Sequence, residues 1–209
     1  MISRLIRQLT APGRAWGGLA VLLALLALAG WGAPREAIDW QPALALRQPW
    51  RAFSAVGVHY SLLHLLANLA GAAAVGALGI AARAPSTAAW AWGAAWPLTQ
   101  LGLLIEPALV HYGGLSGVLH AGVAVVAVGL LWPPSAPSRR TRHWVGLALL
   151  AGLIVKLLLE APWGAPLRHP AGIDIAVAPL AHASGAVAGL VCAVVARLVT
   201  QPSAENRSA

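Results

Sequence analysis

The chain has 209 residues, of which 59% are hydrophobic and only 10% charged, with a mean hydropathy of +0.73. A soluble domain carries roughly 25% charged residues, and disordered segments are more polar still, so this composition excludes both a water-soluble globular enzyme and a disordered chain. The formal charge of +8 comes from 14 Lys+Arg against 6 Asp+Glu. These cations are scattered in ones and threes rather than gathered on a basic face, which argues against nucleic acid as a partner and for loop anchors at a lipid bilayer. Cys192 is the lone cysteine; with no intrachain disulfide open to it, it reads as a small buried hydrophobe.

A spanning helix needs about 20 mostly apolar residues. Stretches free of Asp, Glu, Lys and Arg predict six such spans, at about 15–33, 59–80, 88–107, 115–132, 144–160 and 180–199. The fold class is therefore all-α integral membrane, a six-helix bundle forming one membrane domain over residues 1–209. The first span follows Arg4, Arg7 and Arg14; Ala27-Leu28-Ala29 also reads as a signal-peptide cleavage site, although the apolar run continues to Ala33. The loop over 34–58 is long and holds Trp40, Arg47, Trp50 and Arg51 among apolar residues, a pattern predicted to lie in the membrane interface.

The second span carries His59, Ser61, His64 and Asn68. His64 and Asn68 are one helical turn apart and share a face, whereas His59 points partly away. The third span contains Trp96, out of keeping with Trp31, Trp132, Trp144 and Trp163 at span ends and Trp16 and Trp90 near them, where an amphipathic ring prefers the headgroup level. The fourth span opens with Gly113, Gly114 and Ser116, then Gly117, with His120 one turn below the serine. The fifth ends at Lys156 and Glu160, predicted to be a local pair or a pair of lipid anchors near the surface. The sixth places His182 near its start, with Gly185 and Gly189 on the same face.

Orientation follows from the cations. With the N-terminus inside, the inner segments hold Arg4, Arg7, Arg14, Arg83, Arg139, Arg140, Arg142, Arg197 and Arg207, and the outer ones only Arg35, Arg47, Arg51 and Arg168. Both termini are thus predicted to be cytoplasmic. The second, fourth and sixth spans then run from outside to inside, and at about 1.5 Å per residue His64, Ser116 and His182 share one depth in the outer third of the bilayer.

Polar side chains are costly in hydrocarbon, and their coincidence at one depth points to chemistry. A serine becomes a nucleophile when a neutral histidine takes its proton. Gly185-x-x-x-Gly189 allows the sixth span to approach the fourth closely, which would bring His182 over Ser116. Asn68, His64, Gly114 and the backbone N–H of Ser116 are candidates to stabilise an oxyanion or the substrate. His59, Gly117, Gly185 and Gly189 are supporting candidates, and His120 reads as a hydrogen-bonding support. No carboxylate lies within a turn of His182, and Asp174 reads as a solvated loop charge. The expectation is a Ser–His dyad with no third member. No metal or other cofactor is expected, since no His-Glu-x-x-His helix appears and no carboxylate joins His59, His64, His120 and His182.

These residues resemble the rhomboid intramembrane serine proteases. The resemblance rests on His59…His64…Asn68, Gly114-Leu115-Ser116-Gly117 and Ala181-His182…Gly185…Gly189, together with Trp50-Arg51 before the second span, and covers about residues 48–190. It implies a rhomboid-like bundle and an endopeptidase acting on transmembrane or C-terminally anchored protein substrates. Leu115-Ser116-Gly117-Val118-Leu119-His120, the compact size and the Lys156/Glu160 pair look like the rhombosortases. Their implied substrates are exported proteins with a Gly-Gly-like motif, an apolar helix and a basic end, cut in the bacterial cytoplasmic (inner) membrane. The alternative is a catalytically silent rhomboid-like protein that binds clients; such proteins usually lack the serine or the histidine, and both are present here.

Overall fold

The computed structural model describes residues 12–132, 139–171 and 174–200; Arg4, Arg7 and Arg207 lie outside the described residues. Within them run six long helices: α1 (Arg14–Gly30), α2 (Leu62–Ala81), α3 (Ser86–Leu101), α4 (Ser116–Leu131), α5 (Arg139–Glu160) and α6 (Pro179–Thr200). Beyond these, the described residues form short helical turns and two isolated bridges, Trp40 with Tyr112 and Arg168 with Val177. By length and hydropathy α2, α5 and α6 are each able to cross a membrane, and α1 and α4 are shorter apolar helices.

Three boundaries differ from the sequence expectation. The third span was expected to reach 107, but α3 ends at Leu101 and tightens into a short 3-10 helix over Gly102–Ile105. The second span was expected from residue 59, but Ser61 caps α2, its hydroxyl accepting from the backbone N–H of His64 at 3.2 Å. An N-cap residue leaves the helical backbone conformation, so His59 precedes the helix. The fifth helix starts at Arg139 rather than 144, and Arg142 donates from there to the carbonyl of Ala82 at 2.9 Å.

The core forms around α4, most of whose residues are buried. Trp16 and Trp92 stack beside it with centroids 4.4 Å apart. Each satisfies its indole N–H on a backbone carbonyl, Trp16 on Val75 at 2.9 Å and Trp92 on Val118 at 2.7 Å. Trp16 was expected near the headgroups and is instead fully buried; its hydrogen bond removes the cost of burying a polar N–H. Trp31, Trp90, Trp132, Trp144 and Trp163 are exposed. Trp96 packs edge-on to Phe53 at 5.6 Å.

The first loop corrects a second expectation. Trp50 is exposed, but Trp40 and Arg51 are internal. The cause is Asp39, a buried carboxylate that needs partners, since an unpaired buried ion costs several kcal/mol. Arg51 lies 3.1 Å from it and His111 2.7 Å. The Arg51 guanidinium also donates to the carbonyls of Glu36 and Asp39. Trp40 and Tyr112 exchange backbone hydrogen bonds of 2.7 and 2.9 Å, tying the loop to the segment that leads into α4.

The two ends of the bundle differ. Arg142 reaches Ala82 just beyond α2, while His143 and Arg197 reach the carbonyls of Leu131 and Trp132 at the end of α4. The C-terminal ends of α2 and α4 and the N-terminal end of α5 thus gather with basic side chains. The starts of α2, α4 and α6 meet at the opposite end.

Candidate active site

Ser116 is the first residue of α4, so its backbone N–H is among those lacking an intrahelical acceptor and sits at the positive end of the helix dipole. His182 is in the first turn of α6 and buried. The two meet: His182 Nε2 is 2.9 Å from Ser116 Oγ.

That distance depends on backbone approach. A methyl group at Gly185 would fall 1.9 Å from the Gly117 carbonyl oxygen, and one at Gly189 2.4 Å from that of Ala121. Similarly, a methyl at Gly117 would lie 2.7 Å from the Ala181 carbonyl oxygen. The obstruction is backbone in each case and cannot swing aside. Across α3, Ser184 Oγ donates to the Thr99 carbonyl at 2.8 Å.

Gly114 has φ +130, a conformation that side chains resist, and its N–H donates to the Ala55 carbonyl at 2.9 Å. The resulting turn brings the Gly114 backbone beside α2, where a methyl would be 2.9 Å from His64 Nε2 and 4.0 Å from Asn68 Nδ2. His64 Nδ1 accepts from the Tyr60 N–H at 3.5 Å, which leaves the ring hydrogen on Nε2, toward Gly114. Asn68 donates to the His64 carbonyl at 3.0 Å. Two polar groups of α2 therefore face the loop just before the serine.

His59 packs edge-on against His64 with centroids 4.9 Å apart, and its Nδ1 lies 3.3 Å from the Gly57 carbonyl. These contacts tie it to His64 and Gly57 rather than to Ser116. His120 donates from Nδ1 to the Ser116 carbonyl at 2.7 Å, and its ring stacks on His182 at 4.2 Å and 14°. It braces both residues.

The expectation of a dyad without a carboxylate is overturned by Glu160. Its Oε2 lies 2.7 Å from His182 Nδ1, and its Oε1 accepts from Lys156. The local Lys156–Glu160 pair forms as expected, but it is only half of what Glu160 does. Asp174 is exposed, and its backbone carbonyl accepts from Ser61. Sequence proximity misled here: Glu160 is 22 residues from His182 and on another helix. The missing signal lies in the chain order, since α5 ends at Glu160 and α6 returns from Pro179, so the end of one helix lies beside the start of the next.

His120, Glu160 and His182 offer three potential ligand atoms within 4.8 Å of one another. A carboxylate thus does join two of the histidines, contrary to the sequence expectation, while His120 Nδ1, His182 Nδ1 and Glu160 Oε2 are engaged in the hydrogen bonds above. Ser116, His182, His64, Asn68 and Lys156 line a cavity of about 710 Å³. Its walls come from α2, α4 and α5, including Gly71, Leu119 and Leu153. Tyr112 also lines it, and burial pushes its phenol up to about 12, so that side chain is a neutral hydroxyl at physiological pH.

A hydroxyl against an imidazole, beside convergent donors and in an apolar cavity, is suited to acyl transfer. No curated protein matches the chain significantly in sequence. The Rhomboid domain family model matches residues 46–198, which contain α2 to α5 and nearly all of α6, and members of that family are generally intramembrane serine proteases. The chain is a multi-pass membrane protein that belongs to the rhomboid family.

Proposed function

We propose that this chain is an intramembrane serine endopeptidase in which Ser116 is the nucleophile and His182 the general base. The observation that carries the reading is the 2.9 Å contact between Ser116 Oγ and His182 Nε2, which is within proton-transfer reach. Nε2 takes the hydroxyl proton as Oγ attacks the scissile carbonyl carbon. The carbonyl oxygen becomes an oxyanion held by His64, Asn68 and the Ser116 N–H, with the Gly114 turn leaving room for it. The tetrahedral intermediate then collapses, and the C–N bond breaks as Nε2–H gives its proton to the leaving amine. Water next attacks the acyl carbon, its proton passing to Nε2; the second tetrahedral intermediate then collapses, the ester C–Oγ bond breaks, and Nε2–H returns its proton to Ser116 Oγ as the carboxylic acid leaves.

The substrate class is a transmembrane or C-terminally anchored protein, specifically the sorting tail of an exported protein: a Gly-Gly-like motif, an apolar helix and a basic end, as for a rhombosortase. A peptide bond inside a helix is shielded, so cutting requires local unwinding; each glycine lowers that cost by about 1 kcal/mol relative to alanine. The protein sits in the bacterial cytoplasmic membrane as six spans, with both termini cytoplasmic and the site opening outward. Support comes from the arginines at the bundle end remote from Ser116 and the positive-inside rule.

The test is cleavage of a model substrate bearing a Gly-Gly-like tail by the purified protein. Ser116→Ala and His182→Ala are expected to lower kcat by at least about 10⁴-fold. Cleavage by Ser116→Ala at the wild-type rate would refute the mechanism, and no cleavage by the wild-type protein would favour a client-binding role.

A further inference from the structure

We propose that Glu160 is a positioning residue for His182, held in place by Lys156, so that the site operates as a carboxylate–imidazole–hydroxyl chain drawn from α5, α6 and α4. This rests on the reading of Ser116 and His182 as nucleophile and base.

The geometry is continuous. Glu160 Oε2 lies 2.7 Å from His182 Nδ1, and His182 Nε2 lies 2.9 Å from Ser116 Oγ. An ionised carboxylate only accepts hydrogen bonds, so the imidazole hydrogen resides on Nδ1. That leaves the Nε2 lone pair facing the serine hydroxyl, the tautomer a general base needs. The ring plane is held independently by the stacked His120.

The placement of Glu160 argues against an incidental charge. It is the last residue of α5, where the helix dipole is negative and an acidic side chain is disfavoured. Lys156, one turn earlier, offsets this by donating to Oε1, which leaves Oε2 for the imidazole. Lys156 and His182 both line the cavity, and the rest of His182 is buried. When the serine proton moves to Nε2, His182 becomes a cation beside apolar walls, a costly state without a counter-charge. Glu160 supplies that counter-charge, and Lys156 keeps the carboxylate anionic, so the proton stays on the imidazole until the leaving amine takes it.

The experiment uses the full chain in liposomes with the Gly-Gly-tailed substrate. Glu160→Gln keeps the shape, but its amide can donate to Nδ1 and select the wrong tautomer. The expected result is a loss of about 10²- to 10⁴-fold in kcat with KM within about twofold. Glu160→Asp is expected to recover part of the loss, and Lys156→Met to lower kcat about tenfold. In a His182→Ala background Glu160→Gln is expected to change the residual rate by less than about twofold, because a residue acting only through the imidazole has nothing left to act on. Wild-type kcat in Glu160→Gln, an effect confined to KM, or an equal loss in the His182→Ala background would overturn the proposal. If Glu160→Gln does not fold, Glu160→Asp decides: lowered kcat at unchanged KM supports the role, and unchanged kcat overturns it. An active Glu160→Gln alongside an inactive Ser116→Ala would remove Glu160 while leaving the nucleophile in place. An active Ser116→Ala would remove the underlying reading.

Discussion

Helices α5 and α6 both lie against α4, but they are held in opposite ways. Helix α6 meets α4 through Gly185 and Gly189, whose Cα atoms rest against backbone carbonyls, and its site-facing turn is buried. Helix α5 buries only Gly146 and Leu153, and the rest of its described side chains are exposed or partly so. The seam that fixes His182 over Ser116 is therefore rigid, since backbone oxygens cannot rotate away, while α5 approaches the α4 backbone closely only at Gly146, where a methyl would lie 3.0 Å from the Ala127 carbonyl oxygen. The proposed endopeptidase needs an attacking pair set to within tenths of an ångström, and the side of the cavity with the fewest buried contacts is the one that opens at least cost.

The contrast can be broken most forcefully at the seam. Gly185→Ala drives a methyl into the Gly117 carbonyl and is expected to destabilise the bundle by about 3 kcal/mol, the upper part of the overpacking range. It should also abolish cleavage by moving His182 away from Ser116; thermal unfolding in detergent and the cleavage assay read the two effects. On α5, Leu153→Ala removes the one large buried side chain and is expected to cost about 2 kcal/mol with less effect on the chemical step, seen as a lower unfolding temperature with a retained rate of Ser116 labelling. Gly114→Ala sharpens the fixed side further. The substitution meets both an adverse φ and the His64 ring, and about 1–2 kcal/mol of strain is expected, with a fall in kcat exceeding any fall in stability. The smallest effect belongs to Gly152→Ala on α5. No atom lies within 4 Å of the added methyl, so only helix propensity acts, and stability should rise by about 0.5–1 kcal/mol in the same unfolding measurement.

Hydropathy located the helices because the bilayer requires long uncharged runs, and α1, α4 and α6 begin and end within three residues of the expected spans. The shared depth of His64, Ser116 and His182 was legible for the same reason, as was the use of Gly185 and Gly189 for close approach. Residues whose roles depend on a partner distant in sequence were not. Arg51 and Trp40 carry interfacial composition, but the buried Asp39 draws the arginine inward, and a lone aspartate in a loop gives no sign of its burial. Glu160 sits four residues from Lys156, and that local pairing concealed the contact with His182 across a helix boundary. Trp16 has the composition of an interfacial anchor, but the carbonyl of Val75 gives its indole a partner inside the core.

The most direct measurement is the site and rate of labelling by a serine-directed fluorophosphonate in the membrane-reconstituted chain, mapped by mass spectrometry. The adduct is expected on Ser116, forming at least about 10²-fold more slowly in His182→Ala. An unlabelled Ser116, or labelling as fast without the imidazole as with it, would contradict the pairing of these two side chains as nucleophile and base.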